Sequence, residues 1–401
     1  MIVSAYYRCS SACTGLTMAL IAAACNVAPA RAEGMLDTVQ VHGFLSQALI
    51  VTDENNFFGP SSHDGGSLQY TEIGANLSFR PRQDVLIAIQ GISRRAGADD
   101  SDFEPDLDYG LVDYQLFSSV DRTLGIQLGR VKNPFGFYNQ TRDVAFTRPS
   151  ILLPQSIYFD RTRSVGLAGD GISIYEQERL PNGTLYFQAG IGKPQVNDDA
   201  EKALSTTEPT LDGQISIISQ IRYEHDGGRI IAALSAGRAQ SRYEVDSKDS
   251  DSGTFVFQPW ILSLQYNEDL WSLTAEYALR KRSLSGLNNA QHNYDITGES
   301  WYLQYTRRFQ RDWQWLLRYD VLVNDRNDRS GRKLAATGAA PAYSQFAKDL
   351  TTGVQWRIHP QVLLAAEYHH VDGTGWLTIG DNEGETDQYW NMLLFQASLR
   401  F

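Results

Sequence analysis

Cysteine is nearly absent: three occur in 401 residues, Cys9, Cys13 and Cys25, and none follows. The body of the chain therefore has no disulfide framework and no thiolate chemistry, and a protein of this size must be held by hydrogen bonding and packing. Long apolar runs are missing too. The mean hydropathy is −0.34, and past the first 32 residues nothing approaches the ~18 consecutive apolar residues of a spanning helix. Positive charge is scarce, with 35 Lys and Arg against 47 Asp and Glu and a net charge of −12, which argues against nucleic acid as a partner. The few histidines build no metal site. His369 and His370 are adjacent in a strand pattern and face opposite ways, and His63-Asp64 has no second ligand at useful spacing. The acidic run 246–251 fails the spacing of a calcium loop and reads as solvated surface or as a place where divalent ions bridge to lipopolysaccharide. No metal or cofactor is expected.

The first residues look like an address rather than a fold. Arg8 precedes an apolar run from Thr17 to Ala30, and Ala30-Arg31-Ala32 is a small-x-small site. Residues 1–32 read as a cleaved secretory signal peptide and 33–401 as the mature domain.

That domain is written in period two. Ile73, Ala75, Leu77 and Phe79 alternate with Glu72, Asn76, Ser78 and Arg80; Leu124, Ile126 and Leu128 with Gly125, Gln127 and Gly129. Trp271, Leu273, Ala275, Tyr277 and Leu279 alternate with Ser272, Thr274, Glu276 and Arg280. The pattern starts at Val39, leaving no room for an N-terminal plug, and closes with Tyr389, Leu393, Phe395, Ala397, Leu399 and Phe401. About 16 such strands fit, an even number typical of bacterial outer-membrane barrels, in which only alternate residues meet lipid. Row-end aromatics such as Trp260, Trp271, Trp301, Trp313, Tyr266, Tyr368 and Tyr389 suit interfacial girdles.

Connections alternate between short and long. Short ones fall at Pro81, Ser119, Leu180, Asp226, Glu268, Arg311 and Pro360, with long polar ones between. This is the asymmetry of tight periplasmic turns and long external loops. The expected fold is all-β: a 16-stranded antiparallel transmembrane β-barrel whose third external loop folds inward.

That third connection, about 130–163, carries Arg130, Lys132, Arg142, Arg148, Arg161 and Arg163 with only Asp143 and Asp160 as acids. Pro149, Pro154 and the apolar Ile151, Leu152 and Leu153 make it a loop that must bury something. Folded into the lumen it would form a constriction, with its basic residues contacting anions; the competing reading is that Asp143 and Asp160 neutralise Arg161 and Arg163 and pin the loop. Strict alternation would turn Arg130 and Lys132 toward lipid, so a bulge at Gly129-Arg130 is expected to redirect both inward. Inward parity elsewhere holds Glu72, Asp113, Gln127, Arg222, Glu276, Arg280, Arg318, Asp320, Arg357 and Glu367, a mixture of signs that implies a wet lumen.

The segments GRVKNPFGF and PSILLPQSIYFDRTRSVGL and the closing Phe401 resemble the phosphate-selective porin family, the O and P porins, and related proteobacterial porins. The family's Gly-basic-x-Lys-x-Pro-Phe pattern falls on Gly129, Arg130, Lys132, Pro134 and Phe135; the chain departs from it in its acidic balance and few lysines. The resemblance implies a homotrimeric barrel in the outer membrane, in contact with lipid and lipopolysaccharide, with small anions as solutes. Phe401 resembles the signal read by the barrel assembly machinery. The function expected is diffusion of small hydrophilic solutes with some anion preference, without enzyme activity. The alternatives are a phospholipase-like barrel enzyme, for which His370 is the outward histidine but no nucleophilic serine motif accompanies it, and a structural barrel with a blocked lumen.

Overall fold

In the computed structural model, residues 38–97, 103–160, 163–196, 210–245, 251–288, 293–377, 380–382 and 384–401 are described. The leader, Arg161 and most of the acidic run, 246–250, lie outside them. The strands are β1 (Gln40–Thr52), β2 (Ser67–Arg82), β3 (Val85–Ala96), β4 (Pro105–Ser118), β5 (Arg122–Lys132), β6 (Ala168–Leu180), β7 (Gly183–Pro194), β8 (Thr210–Gly213) and β9 (Ser216–His225). They continue with β10 (Ile230–Val245), β11 (Asp251–Asn267), β12 (Trp271–Ser285), β13 (Tyr294–Phe309), β14 (Trp313–Val323), β15 (Phe346–His359), β16 (Val362–Asp372) and β17 (Tyr389–Arg400).

Each strand pairs antiparallel with its neighbour, and β17 closes on β1 from Phe44↔Arg400 to Thr52↔Met392. β8 and β9 both pair with β10, Ser241 facing Gly213 and Arg238 facing Ile217, so they are two pieces of one wall strand. Ser216 spans the break, its hydroxyl accepting from the Gln240 amide at 3.0 Å. The result is a closed 16-stranded antiparallel barrel.

Alternation sorts the side chains as the pleat requires. Ile73, Leu77, Leu128, Ile172, Ile191, Leu234, Leu262, Leu303, Leu350 and Phe395 are exposed on the outside, while Glu72, Ser263, Glu276, Gln304, Arg318 and Glu367 on the opposite parity are buried. An apolar exterior around a polar interior inverts the soluble arrangement and fits lipid contact. Tyr266, Trp271, Tyr305 and Trp315 run edge to edge across β11 to β14, with ring centroids 5.5, 5.9 and 6.0 Å apart, as a segment of interfacial girdle.

Two expectations fail. No bulge interrupts β5, which keeps register through Lys132↔Ala168. The extra residue is on the preceding strand, β4, where Gln90 faces Tyr109 and Gly91 faces Leu107, leaving Asp108 unopposed. Gly129 takes a φ of +123°, and a Cβ there would lie 2.2 Å from the Gly110 carbonyl oxygen. Arg130 consequently stays on the face of Asp170, which it binds at 2.8 Å, away from the loop; only Lys132, at the strand end, turns in to Asp108 at 2.7 Å.

The interior is also not polar throughout. Ala48, Ile50, Tyr70, Val371, Trp390, Met392 and Leu394 point inward from β1, β2, β16 and β17 and bury a cluster with Phe57 and Phe58 of the first long connection and Trp376 and Leu377 of the last. These connections fold over one side of the barrel, and the inward parity beneath them is apolar because it meets protein rather than water.

Candidate functional site

The third long connection, described over residues 133–160 and 163–167, lies inside the barrel. Its neck is tied by Asn139, whose Nδ2 donates to the carbonyls of Asn133 at 3.0 Å, Gly166 at 3.1 Å and Leu167 at 3.3 Å. From there it crosses the lumen. Phe137 donates its amide to Glu276 at 3.0 Å, and Glu276 also accepts from Tyr158 at 2.6 Å and Tyr302 at 2.8 Å. The Ile151 and Leu152 amides donate to Glu367 at 2.5 and 3.3 Å, while Arg318 donates to Ser150 Oγ at 3.1 Å and the Leu152 carbonyl at 3.0 Å. Asp320 accepts from the Ser156 amide at 3.2 Å. A loop without ladder partners needs its backbone groups met from elsewhere, and the wall carboxylates and guanidinium meet them.

Apolar contacts reinforce the seat. Ile151 and Leu152 join the inward cluster of β1 and β17, and Leu153, Ile157 and Tyr158 join Ile261, Ala278 and Tyr302. Burying side chains of this kind stabilises by about 1.5–3 kcal/mol each.

The basic residues are neither bare nor facing a pathway. Arg148, Arg94 and Arg163 converge on Glu72 at 2.8, 3.3 and 3.4 Å. Asp160 takes Arg94 at 2.6 Å and Arg142 at 3.4 Å. Asp143 pairs with both Lys132 and Arg163. All these groups are buried or nearly so. Burial works most strongly against charge on Arg148, but Glu72 together with Tyr70 and Asp160 outweighs it and raises the guanidinium pKa; at Arg142 burial prevails over Asp160 and lowers it. The network holds Arg94, Lys132, Arg142, Arg148 and Arg163 against Glu72, Asp108, Asp143 and Asp160, so its charges very nearly cancel.

Of the inward residues anticipated from parity, Glu72, Glu276, Arg318, Asp320 and Glu367 bind the loop rather than line water. Arg280 lies over the Phe159 ring at 5.3 Å. Asp113 accepts from Tyr175 at 2.7 Å and Gln127 at 3.0 Å, and Arg222 pairs with Glu224 over Tyr186. Arg357 opens into a chamber at the short-turn end.

Among the described residues, four buried titratable wall side chains were not among the inward residues anticipated: Arg94, Asp108, Asp349 and His369. The alternation places Arg94 on Gln90's side of β3, which was enough to find it. His369 sits between Asp349 at 2.8 Å and Glu367 at 3.4 Å; a lone inward histidine gave no sign of these partners.

The loop leaves one side of the lumen unfilled. On β6, β7 and β10 the inward positions include Gly169, Gly171, Gly190, Gly192 and Gly237, and with Val131, Pro134, Phe135, Ile218 and Phe257 they line an apolar cleft. The loop's exposed side chains include the neutral Gln140, Thr141 and Thr147, and Gln140 reaches the wall at Gln188, 2.9 Å away. At the short-turn end, under Tyr138, Phe146 and Pro149, a polar chamber of about 360 Å³ is lined by Gln265, Gln304, Gln314, Gln355, Arg308 and Arg357 among others.

Compared with known proteins, the chain matches no family model, and no curated protein is similar to it in sequence. Solved structures share its fold. The anion-selective porin from Comamonas acidovorans is 12% identical over 91% of this chain and 99% of its own, with a TM-score of 0.56. The outer membrane channel DcaP of Acinetobacter baumannii is 14% identical over 94% and 100%, with a TM-score of 0.55. The trimer form of OmpT, an outer membrane protein of Vibrio cholerae, is 12% identical over 91% and 99%, with a TM-score of 0.57.

Proposed function

We propose that this chain forms a water-filled channel in a bacterial outer membrane, through which small hydrophilic solutes diffuse with a weak preference for anions. The observation that carries this reading is the uneven seating of the loop: it is pinned to β2, β3 and β12–β16, meets β9 and β10 where Gly136 bonds Gln220 and Ser235, and leaves the cleft along Gly171, Gly190 and Gly192 open. A barrel meant to be closed would gain from side chains at Gly190, where a Cβ meets nothing nearer than 3.7 Å. The fold likeness to the anion-selective porin of Comamonas acidovorans and to the channel DcaP supports it, and OmpT in its trimer form supports assembly as a homotrimer.

Anion preference rests on the balance of charge. The buried network faces no pathway and very nearly cancels, whereas Arg308 and Arg357 in the chamber are exposed and make no ion pair among the described residues. Fixed charge facing a pathway sets selectivity, and here the surplus is small and positive. Phe401 supports the assembly-signal reading: it is exposed, and its backbone exchanges bonds of 3.1 and 3.0 Å with Gly43 on the first strand. An outward enzyme centre is not favoured. His370 hydrogen-bonds Asn391 at 2.8 Å, but its register partners are Leu350 and Asn391, neither a nucleophile.

The test is purified protein in a planar bilayer. Discrete ohmic steps, with a reversal potential of anionic sign under a KCl gradient, are the expected result. Silence from protein shown to be folded would assign the barrel a structural role. Replacing Arg308 and Arg357 by Gln should move the reversal potential toward cations.

A further inference from the structure

We infer that the chamber beneath the loop is a binding site for a small polyhydroxylated anion of sugar-acid kind. The inference takes the chamber as part of the conducting path and so rests on the channel reading.

Its roof and wall are pre-set for hydroxyl groups. Gln355 donates its amide hydrogens to the Arg148 carbonyl at 3.2 Å, and Gln314 to the Pro149 carbonyl at 3.4 Å. Each amide is thereby fixed by the loop backbone, and its carbonyl oxygen receives no hydrogen bond from the described residues. A held acceptor costs little ordering when a ligand hydroxyl arrives. Arg308 and Arg357, exposed and without carboxylate partners among the described residues, supply the charge. A guanidinium binds a carboxylate or a phosphate through paired N–H donors. Among the described residues the single acidic side chain on the lining, Glu268, is engaged by Arg229 at 2.7 Å. The volume of about 360 Å³ falls in the range of about 300–1,000 Å³ usual for small-molecule sites. Amide acceptors alone would suit a neutral sugar and arginines alone any small anion; their combination selects a molecule carrying both features. The anionic head is a carboxylate or a phosphate, and the test separates the two.

The full chain in detergent micelles is titrated calorimetrically with sodium glucuronate, glucose 6-phosphate, glucose and sodium acetate. Glucuronate should bind saturably and about tenfold more tightly than either glucose or acetate, since both halves of the recognition are lost separately in those probes. Arg357→Gln and Arg308→Gln should each weaken it by a similar factor while leaving the heat-induced gel shift unchanged. Tighter binding of glucose 6-phosphate than of glucuronate would keep the site and assign its head group to phosphate. Acetate binding as well as glucuronate, or no saturable heat with any probe, would overturn the inference. The bilayer result is independent: KCl conductance without glucuronate binding removes the site and keeps the channel, and binding without conductance does the reverse.

Discussion

The two sides of the barrel interior are built on opposite plans. From β12 round to β3 the wall offers charge and apolar surface, and the loop consumes both: Glu72, Glu276, Arg318 and Glu367 are each buried against it. From β6 to β10 the wall offers glycine, and the loop meets it sparsely: Gln140 reaches Gln188, and Gly136 bonds Gln220 and Ser235. The difference teaches that a basic loop inside a barrel need not present its charges to the passage. Here the arginines bind the loop to one wall, and what faces the opening is largely neutral. A buried cation is tolerable only with its partner in place, so the network fixes where the loop sits more than what passes it.

If that is right, the largest loss should follow from Glu72→Gln. It removes the carboxylate shared by Arg94, Arg148 and Arg163 and should cost about 3–5 kcal/mol, as breaking buried ion pairs does. The temperature of the heat-induced gel shift should fall and single-channel current should become noisy; an unchanged transition would mean that the network does not hold the loop. Next, Leu152→Ala opens a cavity beside Ile50 and Trp390 and should cost about 2–5 kcal/mol, read by the same transition. Smallest in stability, and sharpest for selectivity, is Arg142→Gln against Arg357→Gln. Because Arg142 faces Asp160 and Arg357 faces the chamber, only the second should move the reversal potential appreciably. Equal shifts would place the loop arginines on the path after all.

Much of this was legible in the sequence. Period-two alternation in rows as long as Trp271 to Leu279, with short turns at Glu268 and Arg311, is enough to dictate a barrel, because lipid and lumen impose one parity on each strand. Ile151 to Leu153 marked a loop that had to be buried. What could not be read was the destination of each charge. Arg148 meets Glu72, 76 residues away in the chain, and His369 meets Asp349 across a strand pair; such partners depend on three-dimensional closure and leave no local pattern. The bulge was placed one strand late because Gly129 carries the signal for unusual backbone while Asp108, an ordinary strand residue, absorbs the extra length. The apolar cluster at Phe57, Phe58 and Trp376 was hidden for the same reason: inward parity was taken to mean water, whereas the neighbouring connections cover it.

The most direct test is the single-channel conductance of Gly190→Trp. An indole from this position would project into the unfilled side of the lumen without touching the loop network, so conductance should drop by about half or more while the heat-induced gel shift stays where it is in the parent protein. Conductance equal to the parent, from a variant that folds normally, would mean that ions do not pass along the glycine-lined wall and would contradict the account.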